Sequence, residues 1–374
     1  MQERLQCLDG VRRIVLKLGT RMITSGPYSL DTEALARLSL DITDLRSSGY
    51  EVIIVSSGAI GAGMGRMRLR SRPKSIPQLQ ALASIGQSLL MNAFEKSLGM
   101  YSIPIAQVLL TIDDINDRKR FVNVQNTMME LLRMQVVPVI NENDSVGTEE
   151  VKVGDNDNIA SYVTSIVNAD LLVIFTDVDG LYDRRPGSGG EKVIPMVREI
   201  TPEIETLAGG SGDMAAVGGM RTKIEAAKRV MSGGSKVIIA NGRTTRLSEL
   251  LDGSEKGTLF CPFDSGLDSR SHWIATAAKV RGRIIVDDGA SRALGQKGTS
   301  LLPSGIVSVE GVFDIGDVVA VVNGNGVEIA RGVTQYNSNE IDVIKGVQSK
   351  EIDHVLGYSN GKTVIHCNDM VHVQ

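Results

Sequence analysis

The chain has 374 residues, 42% of them hydrophobic and 22% charged, with a formal net charge of −4. That composition is ordinary for a globular protein, too long for one core, and it supplies no electrostatic reason for a nucleic acid or an acidic membrane as partner. Three scattered cysteines (Cys7, Cys261, Cys367) and four histidines confined to the last hundred residues or so exclude a disulfide framework, a zinc spacing and an HExxH pair.

The amino-terminal stretch MQERLQCLDGVRRIVLKLG has no signal-peptide core and no run approaches a membrane span, so a cytoplasmic protein is expected. Apolar runs of strand length then recur at 13–19, 51–57, 104–110, 136–140, 171–176 and 236–240. They do not alternate with polar residues, which predicts strands covered on both faces. Helical periodicity separates them. From Asp31, a predicted N-cap, Leu35, Leu38, Ile42 and Leu45 step by three and four up to Gly49, and a second such segment spans 77–99. Alternating strand and helix predicts an α/β domain with a mostly parallel sheet between helical layers, whose ligands sit beyond the carboxyl ends of the strands. After a boundary placed near 266–280, short β-like runs broken by glycines (GRIIVDDGA, GIVSVEGVF, DVVAVVNGNG, VEIARGVTQ) predict a small barrel or sandwich.

Five stretches of the first domain carry candidate chemistry. Lys17, in VLKLGT, lies inside an apolar strand, where a lysine either reaches solvent at the strand end or meets an anion. In IVSSGAIGAGMG, Ser57 is followed by Gly58, Gly61, Gly63 and Gly65, which read as an anion-approaching backbone before a helix or as a flexible turn. The paired clusters NEND and GDNDN, between Ile140 and Ser161, interleave amides and acids beside a buried strand. In IFTDVDGLYD, Thr176 and Asp177 follow the most apolar strand, as nucleotide or metal contacts or as an Asp–Gly turn. In VGGMRTK, glycines precede a helix with Arg221 and Lys223 in its first turn, an arrangement suited to a docked anion or an ordinary hinge. The P-loop look-alike at 357–363 has the wrong glycine spacing and no following helix pattern. Two lysines, two glycine-rich segments and several carboxylates match the needs of phosphoryl transfer, in which positioned cations and amides do most of the stabilising. No general base is needed if the acceptor is a carboxylate, already ionised with a pKa of about 4.3.

In this order and spacing, VLKLGT, IVSSGAIGAG, VVPVINENDSV, VGDNDN, TDVDGLY and GGMRTK closely resemble the glutamate 5-kinase branch of the amino acid kinase family. DDGASRAL, SLLPSGIVSVEG, GDVV and ARGVTQYNS resemble a PUA domain. The resemblance implies an open αβα sandwich at 1–266, a linker at 267–280 and a β-barrel-like PUA domain at 281–374. It implies that ATP, carrying Mg2+, phosphorylates the γ-carboxylate of L-glutamate as the first step of proline biosynthesis, with L-proline as inhibitor. Lys17, Lys223 and Asp157 are then catalytic. Ser57, Gly58, Ala59, Asp144 and Asn156 hold the substrate, with Asp144 toward its ammonium and Asn156 toward a carboxylate. Lys17, Thr176, Asp177, Val217, Gly218, Gly219, Met220, Arg221, Thr222 and Lys223 line the nucleotide, and no side chain is assigned to the metal. At Ala216 and Val217 the sequence departs from the small residue and threonine common in the family, so no hydroxyl stands at Val217 to contact a phosphate. A homo-oligomer, and hand-off of a labile product to glutamyl phosphate reductase, are also implied. The alternatives are another kinase of this fold or an RNA-binding protein. From residue 279 onward nine Lys and Arg face eleven Asp and Glu, a net of −2, and RNA is therefore not expected.

Overall fold

A computed structural model describes residues 2–25, 29–146, 155–184, 187–209, 219–262, 280–296 and 298–372. Contacts divide it into two compact units, one built from Met1–Met231 and Ser235–Phe263, the other chiefly from the chain that follows. In the first unit, helix α1 (Gln2–Leu8) leads into β1 (Arg13–Leu18), the short α2 (Thr20–Ile23) and a small ribbon, β2 (Thr24–Ser25) with β3 (Ser29–Leu30). There follow α3 (Thr32–Ser47), β4 (Glu51–Ser56), α4 (Ala59–Arg66), α5 (Ile76–Gly99), β5 (Ile105–Leu110), α6 (Ile112–Asn116), α7 (Arg118–Arg133) and β6 (Val137–Glu142). The unit closes with α8 (Asp155–Ile166), β7 (Leu171–Thr176), β8 (Met196–Val197), α9 (Pro202–Ala208), α10 (Met220–Ser232), β9 (Lys236–Asn241), α11 (Leu247–Leu251) and β10 (Thr258–Phe260). Each apolar run read as a strand is a strand to within a residue or two. Asp31 caps α3 by accepting from the Ala34 amide, as its short acidic side chain before an apolar-periodic run predicts.

Eight strands form one sheet in the order β5-β6-β4-β1-β7-β9-β10-β8, parallel throughout except where β10 meets β9. Alternation along the strands sends side chains into two separate cores. Ile14, Leu16 and Leu18 of β1 join α3 and α5 on one face. Val15 joins α8 and α10 on the other, through Ile159, Ala160, Val163, Ile224 and Ala227. Lys17 has the parity of Val15, so the register itself sends it to the α8–α10 face.

The glycine run after β4 is not the loop that the sequence suggests. Only Gly58, with φ +99, lies ahead of the helix; Gly61, Gly63 and Gly65 are inside α4. Gly63 lets α4 pack against α5: a Cβ there would strike the backbone of Leu82, and a Cβ at Gly86 of α5 would strike the Ala59 carbonyl. The helices therefore touch backbone to backbone. At the opposite edge, the buried Arg4 of α1 donates to the carbonyls of Pro195, Lys256 and Gly257.

The second unit is a five-stranded sheet built from β11 (Val280–Val286), β12 (Ile306–Glu310), β13 (Val318–Val322), β14 (Glu328–Val333) and β15 (Met370–His372), in the order β12-β11-β13-β14-β15. Its core gathers Ile284, Val319, Val321, Ile341 and the fully buried Tyr336. Tyr336 donates its hydroxyl to the Gly361 carbonyl and accepts from the Asn360 amide, so the P-loop look-alike is a turn folded onto a buried tyrosine. The sequence reading missed β15, three residues that pair with β14.

Because no side chain separates α4 from α5, Gly86→Ala should lower the stability of the first unit by roughly 1–3 kcal/mol, the usual range for overpacking. Urea unfolding of wild type and variant under identical conditions measures this, and an unchanged midpoint would mean that the helices can move apart freely.

Candidate active site

Three elements converge at the carboxyl edge of the sheet. Lys17 is next to last in β1, a central strand. Asp157 is in the first turn of α8, and Lys223 in the first turn of α10. Lys17 Nζ lies 2.6 Å from Asp157 Oδ1, and Lys223 Nζ 3.3 Å from Oδ2. Thr222 donates its hydroxyl to the same Oδ2 at 2.8 Å. Asp157 is fully buried and both lysines are 5% exposed. Lys17 is thus a paired lysine, and the reading in which it merely escapes to solvent falls away.

Burial alone would push the Asp157 carboxyl up. The charges of Lys17 and then Lys223, helped by hydrogen bonds from Lys17 and Thr222, outweigh it and hold the carboxyl below the usual range. The amino end of the α8 dipole acts in the same sense. Lys223 is shifted down as well. Its desolvation is the largest cause, the attraction of Asp157 opposes it, and repulsion from Lys17 adds to it. Two ammonium groups share one fully buried carboxylate, with Asp177 adding a further attraction on Lys223, so positive charge is concentrated at a buried point of the sheet edge.

Beside it a line of amides crosses the sheet edge from the α8 face to the α5 face. Asn156, adjacent to Asp157, donates Nδ2 to Ser57 Oγ at 3.0 Å and to Asn141 Oδ1 at 3.2 Å. Asn141, the fifth residue of β6, donates to Gln87 Oε1 at 2.9 Å. Both hydrogens of Asn156 Nδ2 are therefore engaged. Its remaining Oδ1 is buried without a partner, so it presents an acceptor rather than the donor foreseen for a carboxylate. Ser57 Oγ accepts from Asn156, which leaves its hydroxyl hydrogen for a ligand. A cleft of about 240 Å3 opens here, lined among others by Ala59, Gln87, Gln107, Asn141 and Asp144. Asp144, half-buried in the turn after β6, thus lines the same cleft as Ala59, and Gly58 precedes Ala59 at the start of α4.

Thr176 ends β7, buried, and donates to Asp177 Oδ1 at 3.2 Å. Asp177 pairs with Arg21 at the start of α2; burial raises its carboxyl, but Arg21 and neighbouring hydrogen bonds bring it below the usual value. Asn241, which ends β9, donates to Asp179, and Arg243 ties the carbonyls of Arg21 and Thr24 to this corner. Gly219 O accepts from Thr222. Met220 packs against the α8–α10 core. Arg221 instead lies on the exposed side of α10, paired with Glu225 four residues on, and is not brought to the centre. Val217 and Gly218 lie outside the described residues. Sequence reasoning did not single out Gln87, or Asn141 as its link to Asn156. A glutamine in a long amphipathic helix carries no motif, although the neighbouring Gly86 was a visible sign of a close approach. Among the described residues, no three of His, Cys, Asp or Glu cluster as a metal site.

Residues 12–241 match the model of the amino acid kinase family, and residues 282–356 match the PUA domain. The chain is 48% identical to the glutamate 5-kinase of Caldanaerobacter subterraneus subsp. tengcongensis, the alignment covering 96% of this chain and 97% of that one. It is 46% identical to the glutamate 5-kinase of Trichlorobacter lovleyi, over 97% of each chain. Among solved structures, carbamate kinase from Giardia lamblia bound to AMP-PNP superposes with a TM-score of 0.50 at 16% identity, covering 68% of this chain and 99% of that one, a likeness of fold alone. With a mostly parallel sheet, a lysine–aspartate–lysine centre at its carboxyl edge and relatives similar along nearly their whole length, the chain belongs to the amino acid kinase family and is a kinase that also carries a PUA domain.

Proposed function

We propose that the enzyme transfers the γ-phosphoryl group of ATP to the γ-carboxylate of L-glutamate, forming L-glutamyl 5-phosphate. The observation that carries this reading is the buried Lys17–Asp157–Lys223 centre, two ammonium groups on one carboxylate, beside an amide-lined cleft. A transferring phosphoryl group spreads negative charge over its oxygens, and two preplaced ammonium groups stabilise that charge without reorganising. Asp157 keeps the lysines close together despite their mutual repulsion and sets their direction. The γ-carboxylate, ionised above a pKa of about 4.3, attacks without prior deprotonation, which agrees with Asp157 being already taken by two lysines and a threonine rather than free to act as a base. Asp144 takes the ammonium, aided by the Asn156 acceptor, and the Ser57 hydroxyl donates to a carboxylate. Thr176, Asp177 and the start of α10 from Gly219 to Lys223 line the nucleotide.

Mg2+ would enter with the nucleotide, as a hard cation that needs few protein ligands and keeps several waters. It would supply further positive charge at the β- and γ-phosphates. An acyl phosphate product is labile, and the reading adds its passage, in the cytoplasm, to glutamyl phosphate reductase, with the reaction as the first step of proline biosynthesis. Release of ADP from Mg-ATP, measured over a panel of L-glutamate, L-aspartate, N-acetyl-L-glutamate and carbamate, tests the reading. It requires glutamate to be preferred by orders of magnitude, and equal turnover with another acceptor overturns it.

Lys223→Met should lower kcat by orders of magnitude while the ligand-free protein melts at the same temperature or higher. The lysine pKa is lowered by folding, so at neutral pH the buried ammonium opposes the folded state, and its loss removes that opposition. Scanning calorimetry beside steady-state kinetics decides it.

Asp157 has the opposite sign. Its folded pKa is held below that of the unfolded chain, about 3.9, so its stabilisation is present above that value and is lost as pH falls through the folded pKa. At pH 6, Asp157→Asn leaves two buried lysines without their partner and should cost about 3–5 kcal/mol. The gap between wild type and variant in urea midpoint should narrow from pH 5 toward pH 3, and a gap that is constant with pH would contradict the assignment.

Free L-proline should inhibit competitively with glutamate, because it shares the α-carboxylate and the positive nitrogen but lacks the γ-carboxylate. Kinetics at several glutamate concentrations check this, and inhibition that saturating glutamate cannot relieve would place proline elsewhere.

A further inference from the structure

Gln87 is used by nothing described so far, and its surroundings are unusual. It sits on α5, on the face opposite the catalytic lysines, and is more than nine-tenths buried. Its Oε1 accepts from Asn141, and its Nε2 is buried with no partner. Leaving an amide donor unsatisfied is costly, and native structures rarely retain one without a reason. The bond to Asn141 uses only the carbonyl oxygen of Gln87, so it does not account for the buried donor. The approach of α5 is itself enforced: Gly86, the preceding residue, lies against the Ala59 carbonyl where no Cβ fits. Two backbones are thus pressed together at the point that delivers Gln87 to the cleft shared with Ala59, Asn141 and Asp144.

The order of the amide line fixes which part of a substrate it meets. Asn156 adjoins Asp157 at the phosphoryl-transfer centre, Asn141 comes next, and Gln87 is at the far end. An amino acid with its reacting carboxylate at the lysines therefore extends its other end toward Gln87. That end bears a carboxylate, and the open group is a donor. We infer that Gln87 Nε2 donates to the α-carboxylate of the acidic amino-acid substrate and is a specificity-determining residue of the site. The inference rests on the proposed glutamate reaction, and names the group that distinguishes this acceptor from ω-carboxylates lacking an α-charge. The two unpartnered atoms then complement one zwitterion, with the Gln87 donor for the carboxylate and the Asn156 acceptor for the ammonium.

The test crosses enzyme and substrate. L-Glutamate and its α-carboxamide, isoglutamine, are compared as acceptors with wild type and Gln87→Met by ADP release, isoglutamine being measured as a competitive inhibitor if its turnover is too slow. A lost hydrogen bond to a charged group predicts a glutamate KM raised about tenfold or more, with kcat and the ATP KM within about twofold. The constant for isoglutamine should move by less than about threefold, so that the preference for the α-carboxylate collapses. Parallel losses for both ligands, or no loss for glutamate, would overturn the role of Gln87 and leave it a packing residue. Should Gln87→Met not fold, Gln87→Glu keeps the size and the acceptor toward Asn141 but sets a repelling charge at the same place, and must penalise glutamate selectively. Wild type releasing ADP with neither acceptor would sink the glutamate reading itself, whereas normal wild-type turnover with a preference that survives substitution sinks only Gln87.

Discussion

Two ammonium groups share a single fully buried carboxylate, and much of the first unit is arranged around that imbalance. Lys17 and Lys223 would repel one another and gain hydration if they moved apart; Asp157 between them, with Thr222 on the same oxygen, holds them together. Burial disfavours a charged side chain, and for Lys223 this desolvation outweighs the attraction of Asp157. On the proposed reaction, an incoming phosphoryl group is what these two cations meet. Stability and affinity are thus set against each other at one point, as is common where a site is organised for charge that arrives only with substrate.

That centre depends on the sheet. A parallel array brings all its carboxyl ends to one edge, so residues distant in sequence, at 17, 57, 141 and 176, end within reach of loops and helix starts. Because side chains alternate, each strand also chooses a face. Lys17 shares the face of Val15 with α8 and α10, while Asn141 shares the face of Val139 with α5. The amide line from Asn156 through Asn141 to Gln87 connects the two faces over the edge. The close crossing of α4 and α5 determines its far end, since only glycine at 63 and 86 permits that approach.

Much of this was legible in the chain. Unbroken apolar runs mark strands covered on both sides, the Asp31 cap and three-four periodicity mark α3, and short glycine-broken runs mark a different architecture after residue 280. The resemblance carried by the lysine, amide and glycine-rich stretches extends to relatives along nearly the whole chain. The errors have a common form. Gly61, Gly63 and Gly65 read as a ligand-facing loop but lie inside α4, because a glycine suits a tight helix contact as well as an anion and sequence alone cannot say which. Arg221 is a different case: it pairs with Glu225 on the exposed side of α10 while Lys223 turns to Asp157, and its place along the nucleotide belongs to the proposed reading. β15 is too short to show a pattern and exists because β14 offers an edge.

What the sequence determined by itself is what depends on local periodicity and on residue type: strands, helices, the division into two architectures, and the short polar and glycine-rich segments that mark the site. Tertiary structure alone decided which atoms meet. That Asp157 serves both lysines, that Asn156 is joined to Gln87 through Asn141, and that Gln87 lines one cleft with Asp144 are consequences of strand register and of two helices in backbone contact. Hydrogen bonds and ion pairs act over about 3 Å, and no pattern along a chain encodes distances of that size between residues separated by tens or hundreds of positions.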